Sequence, residues 1–93
     1  MTQPLKRLVG GFDMWAKKLE EIAALGLPAE DFYTHLKKEV VELDEGRNDG
    51  EMVDVINCLG MLIYTQGYRV DFYDCLAKLK AREEKYEKRR ETP

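Results

Sequence analysis

The sequence predicts an all-α protein, an antiparallel helical hairpin bundle of three to four helices. Three observations carry this. Apolar residues recur at three- and four-residue spacing over 12–25, 29–44 and 72–86, the repeat of one helix face. The stretch Met52–Tyr64 is apolar almost all the way round, as in a buried helix. Turn and cap residues fall between these stretches: Gly26 and Pro28, then Asn48-Asp49-Gly50, then Gly67 and Asp71.

At 93 residues the chain is one small domain. A chain of this size buries a little over ~60% of its unfolded surface, so its core is thin. Trp15, Phe32 and the Met52–Tyr64 face then want partners, and a homodimer or higher homo-oligomer is expected. The net charge of −3 argues against nucleic-acid or anionic-membrane binding. No apolar run approaches the ~18 residues needed to span a bilayer, and the N-terminus lacks the apolar core of a signal peptide. Cys58 and Cys75 have no metal-type spacing and lie on apolar faces, which suits reduced core thiols in a cytoplasmic protein.

Residues 1–11 read as an N-terminal arm, because Pro4 and the Gly10-Gly11 pair discourage a helix, although Leu5, Leu8 and Val9 are able to dock. Residues 12–90 form the helical domain and 91–93 its frayed tail. The first helix spans Phe12–Leu25, with Phe12, Trp15, Ala16, Leu19, Ile22 and Ala23 on one stripe. Trp15 sits mid-stripe, which places it in the core rather than against a ligand base. Gly26 follows as a C-terminal cap, and Pro28 suits the first turn of the next helix.

The second helix runs from about Ala29 to Asp44. Setting Phe32 at 0°, Leu36, Val40 and Leu43 fall at roughly 40°, 80° and 20°. Glu39 falls at about 340°, inside that apolar stripe, and Glu42 at about 280°, on its edge. His35, one turn before Glu39, reads as its hydrogen-bond partner, with a role in orienting Glu39 next in order. The break at Asp44–Asp49 is short enough to make the flanking helices antiparallel neighbours. In such a hairpin, residues at equal height have residue numbers of constant sum. Glu42 with Glu51 and Glu39 with Asp54 meet that condition, on levels about 4.5 Å apart. Four carboxylates converging in an apolar setting repel one another unless a cation holds them, so Glu39, Glu42, Glu51 and Asp54 read as a Mg²⁺ site that Mn²⁺ is able to fill. Glu51 alone has an equally good structural explanation, since an acid in the first turn completes a cap.

Asn48-Asp49-Gly50 supplies turn chemistry and an N-cap for the third helix, Gly67 closes it, and Gly60 within it permits a close helix approach. Asp71 caps the fourth helix, with Asp74 as a box-like partner, Val70 as the staple, and fraying expected from Glu87 onward. Its apolar stripe is Phe72, Cys75, Leu76, Leu79 and Tyr86. Beside it runs a basic line, Lys78, Arg82, Lys85 and Arg89, either a solvated face or positive charge for the outer phosphates of a metal-bound polyphosphate.

Glu-x-x-Glu, a short gap, and Glu-x-x-Asp within an apolar helix resemble the MazG-like all-α nucleoside triphosphate pyrophosphohydrolases. The segments HLKKEVVEL, EMVDVINCLG and KAREEKYEKR are similar to the small phage and prophage dATP/dGTP pyrophosphohydrolase-like proteins. The likeness covers roughly residues 32–90. It implies Mg²⁺-dependent hydrolysis of a (deoxy)nucleoside triphosphate to the monophosphate and pyrophosphate. Glu39, Glu51 and Asp54 would then be ligands, and Glu42, at the stripe's rim, the base on the attacking water. Asn57, Lys78, Arg82, Lys85 and Arg89 would meet the substrate. Tyr86 stands where relatives tend to carry asparagine and Arg82 where they tend to carry lysine, which puts the base or sugar contacts in question. Two readings compete: a catalytically inactive helical module that binds a partner protein, and a divalent-cation binding protein without catalysis.

Overall fold

The computed structural model describes residues 7–91, so residues 1–6 of the expected arm and 92–93 of the expected tail lie outside the described residues. Residues 7–11 carry no helix and lead in through Gly10 and Gly11, both at positive φ. Four helices follow: α1 (Phe12–Ala23), α2 (Ala29–Gly46), α3 (Asp49–Gln66) and α4 (Phe72–Glu91). No strand occurs among the described residues.

Helix α1 ends two residues earlier than its apolar stripe suggested, because Leu25 and Gly26 close a tighter turn onto Ile22 and Ala23. Helix α2 runs past Asp44 to Gly46, and only Arg47 and Asn48 separate it from α3. Arg47 makes this possible. It adopts a left-handed conformation (φ 49°), returns its backbone N–H to Leu43 O at 2.8 Å, and holds Asp44 through its guanidinium at 2.9 Å. Asn48 then caps α3, its Oδ1 accepting from Glu51 N–H at 2.9 Å. Asp71 caps α4 by accepting from Tyr73 N–H at 2.8 Å. That helix continues to Glu91, beyond the fraying point expected at Glu87.

Helix α3 is the central element. It packs along α2 and along α1, around a core of Leu19, Phe32, Val55, Cys58 and Leu62. Gly60 lets α1 come close: a Cβ there would stand 2.6 Å from Trp15 Cζ2 and 2.8 Å from Leu19 Cδ1. The far side of the α2–α3 hairpin corrects the expectation of burial all round. Val40, Met52, Val53, Ile56 and Leu59 are exposed there, since no third helix covers them.

The largest departure is α4. No other helix packs against it, and its intended core stripe, including Phe72, Leu76, Leu79 and Tyr86, is exposed. The radius of gyration, 16.6 Å, accordingly exceeds the ~12 Å of a compact chain of this length. Among the described residues, no helix is long and apolar enough to cross a membrane.

Candidate metal centre

The hairpin brings the acidic residues of α2 and α3 together. One carboxylate oxygen each from Glu39, Glu51 and Asp54 lies within 4.8 Å of the others. Each position has a local cause. Glu39 is carried by the apolar stripe of α2 toward α3 and is 7% exposed. The Asn48 cap starts α3 so that Glu51 occupies its first turn, and Asp54 follows one turn later, at the exposed end of the trio.

The trio is not internally satisfied. His35 Nε2 stands 3.2 Å from Glu39 Oε1, but Glu39 Oε2 and Glu51 Oε2 are buried with no hydrogen-bond partner. Unpartnered buried carboxylate oxygens are costly, and natural folds rarely leave them so. The orphan on Glu51 also separates two explanations of that residue. Its backbone N–H completes the Asn48 cap, whereas its side chain takes no part in it.

The electrostatics agree with convergence. Burial pushes the Glu39 carboxyl above the usual range, and the neighbouring Glu42 carboxylate and then the charge of Asp54 push it further; His35 opposes them. The Cys58 thiol is raised first by burial and then by the charges of Glu39 and Asp54, which places the thiol beside the acidic group. Glu42 stands outside the trio but next to Glu39, half-buried, with Lys38 Nζ 3.9 Å from its Oε1.

The residues fit a hard divalent cation. All donors are carboxylate oxygens, which favour Mg²⁺, Mn²⁺ or Ca²⁺ over softer ions. Around one octahedral Mg²⁺ adjacent oxygens stand about 2.9 Å and opposite ones about 4.2 Å apart, so a trio within 4.8 Å of one another would draw in to share the ion.

The other expected contacts divide. Asn57 lies one turn beyond Asp54 and accepts a hydrogen bond from Trp15 Nε1 at 2.8 Å, a long-range link that helix periodicity does not reveal. Trp15 is half-buried at the α1–α3 contact rather than sealed in the core. Lys78, Arg82, Lys85 and Arg89 are all exposed on α4, which packs against neither α2 nor α3. Arg82 and Arg89 flank the Tyr86 ring at 6.0 and 5.9 Å, a cation–π pair that holds the basic line together. No family model matches this chain, and no curated protein or solved structure is significantly similar to it.

Proposed function

We propose that the protein is a Mg²⁺-dependent hydrolase that cleaves a (deoxy)nucleoside triphosphate to the monophosphate and pyrophosphate. The observation that carries the reading is the buried Glu39, whose Oε2 has no hydrogen-bond partner and whose carboxylate is grouped with those of Glu51 and Asp54. Such an oxygen is expensive without a cation and well used with one.

Glu39, Glu51 and Asp54 would hold the metal, which when bound would supply positive charge for the phosphate oxygens and lower the pKa of a water. Glu42, half-buried at the rim, accepts the proton as the water oxygen bonds to phosphorus and a P–O–P bond breaks. The outer phosphates need positive charge, which the chain carries on α4 as Lys78, Arg82, Lys85 and Arg89. Among the described residues no helix packs on α4, so the active form is a homodimer or higher homo-oligomer. There the bare stripe of α4 and the bare strip Met52, Val53, Ile56 and Leu59 of α3 cover one another between copies. Oxygen-only donors and two free cysteines, Cys58 and Cys75, suit a cytoplasmic enzyme of this type.

The same uncovered apolar surface favours a second reading, a catalytically inactive helical module whose α3 and α4 faces bind a partner protein. One assay separates them: pyrophosphate release across ribo- and deoxynucleoside triphosphates, with Mg²⁺ or Mn²⁺ against EDTA. At least one triphosphate should turn over only with metal. Glu39→Gln and Asp54→Asn should each abolish turnover with helix content intact. Inactivity on the whole panel with either metal would overturn the hydrolase reading in favour of the module.

A further inference from the structure

Trp15, Asp54 and Asn57 line one cavity of about 250 Å³ between the three packed helices, together with the apolar Leu19, Ile22 and Met61 and the basic Lys18 and His35. The Trp15 ring is fixed by the close approach that Gly60 allows, because any Cβ at that position would meet the ring. Its Nε1 donates to Asn57 Oδ1 at 2.8 Å. An indole nitrogen only donates, so this bond decides which way the amide faces. The Asn57 oxygen is committed to Trp15, and the Nδ2 group remains a donor to whatever enters.

Size and chemistry narrow the occupant. The cavity is smaller than the ~300–1,000 Å³ that takes a whole drug-sized ligand, so it suits one ring system. The indole and aliphatic part of the lining favours a flat ring, and the oriented amide donor, with Lys18 and His35 beside it, favours a ring bearing nitrogen or carbonyl acceptors. Asn57 follows Asp54 by about 4.5 Å along the helix axis, so an occupant can extend from the cavity to the metal centre.

Building on the hydrolase reading above, we propose that this cavity is the slot for the nucleobase of the substrate. Asn57 donates to an acceptor on the base, and Trp15 is the positioning residue that holds the Asn57 amide in that orientation. Sugar and phosphates then lie outside the slot, toward Asp54.

Trp15 is the chain's single tryptophan, so its fluorescence reports on the slot directly. The experiment titrates the protein in Mg²⁺ with the four deoxynucleoside monophosphates, which are products and do not turn over. Pyrophosphate and 2-deoxyribose 5-phosphate serve as base-free probes. At least one monophosphate should change Trp15 emission saturably, and neither base-free probe should. Asn57→Leu should weaken that binding about tenfold, the worth of one hydrogen bond, while leaving the Mg²⁺-dependent melting shift in place. Asn57→Asp, which keeps an acceptor for Trp15 but loses the donor, should weaken it as well and stands in if the leucine variant does not fold.

Nucleotides that are hydrolysed, or that raise the melting temperature, without moving Trp15 emission would overturn the slot and leave the hydrolase standing. Emission that responds to nucleotides with no triphosphate hydrolysed would uphold the slot and remove the hydrolase. No response in either assay removes both.

Discussion

His35 Nε2 lies 3.2 Å from Glu39 Oε1, so one oxygen of the buried glutamate faces a ring nitrogen and the other is buried with no hydrogen-bond partner. This asymmetry organises the site. The histidine meets Glu39 from the solvent side, and the other oxygen is the one a cation would satisfy.

The first prediction concerns pH. With metal removed, the fold holds the Glu39 carboxyl above its ordinary value of 4.5, chiefly by burial and then by Glu42 and Asp54. The folded state thus binds this proton more tightly than the unfolded state does. The stability it contributes is complete below pH 4.5 and is lost as pH rises through the raised value. In EDTA, wild type should therefore lose melting temperature relative to Glu39→Gln as pH is raised from there. A constant difference between the two across that range contradicts the assignment.

Gly60 provides a second test. Alanine there puts a Cβ 2.6 Å from the Trp15 ring, and overpacking of this kind costs ~1–3 kcal/mol. Better helix propensity returns up to about 1 kcal/mol. The net expectation is a melting temperature several degrees lower, with the Trp15 emission maximum shifted. A Gly60→Ala protein as stable as wild type, with unchanged emission, means that α1 does not sit on α3 at this distance.

The basic line supplies a third. Arg82→Ala and Lys85→Ala should each raise KM or lower kcat/KM while metal binding persists, because they meet phosphate rather than the cation. Mixing either variant with an Asp54→Asn protein should restore part of the activity if α4 serves the site of a second copy. Unchanged kinetics in both single variants returns the line to a solvated face.

Much of the hairpin was legible in the sequence because local rules specify it. Turn chemistry at Asn48–Gly50 and the apolar stripe of α2 were enough to set Glu39 against α3, and the constant-sum register brought in Asp54. Glu42 was harder. It lies on the edge of its stripe, where a small rotation decides between facing Glu51 and facing solvent, and it stands beside Glu39 outside the closest trio. Periodicity placed an apolar stripe on α4, but a stripe says only that a face seeks cover, and no other helix among the described residues covers it. The Trp15–Asn57 bond joins residues 42 apart in sequence, so it depends on how α1 crosses α3. The Arg47 bend was hidden because its left-handed backbone is an uncommon choice for arginine, stabilised there by its own bonds to Asp44.

The central claim is that Glu39, Glu51 and Asp54 hold a divalent cation, and paired melts of wild type and Glu39→Leu test it without assuming any reaction. Each protein is melted in EDTA and in ~10 mM Mg²⁺; free metal at tenfold above Kd adds about 1.4 kcal/mol to the folded state. Wild type should gain several degrees with Mg²⁺. Glu39→Leu removes one like charge from an apolar setting, so in EDTA it should be at least as stable as wild type, and it should lose most of the Mg²⁺ gain. A Glu39→Leu protein strongly destabilised in EDTA that still shows the full Mg²⁺ shift would make Glu39 a structural hydrogen-bonding residue and contradict the metal centre.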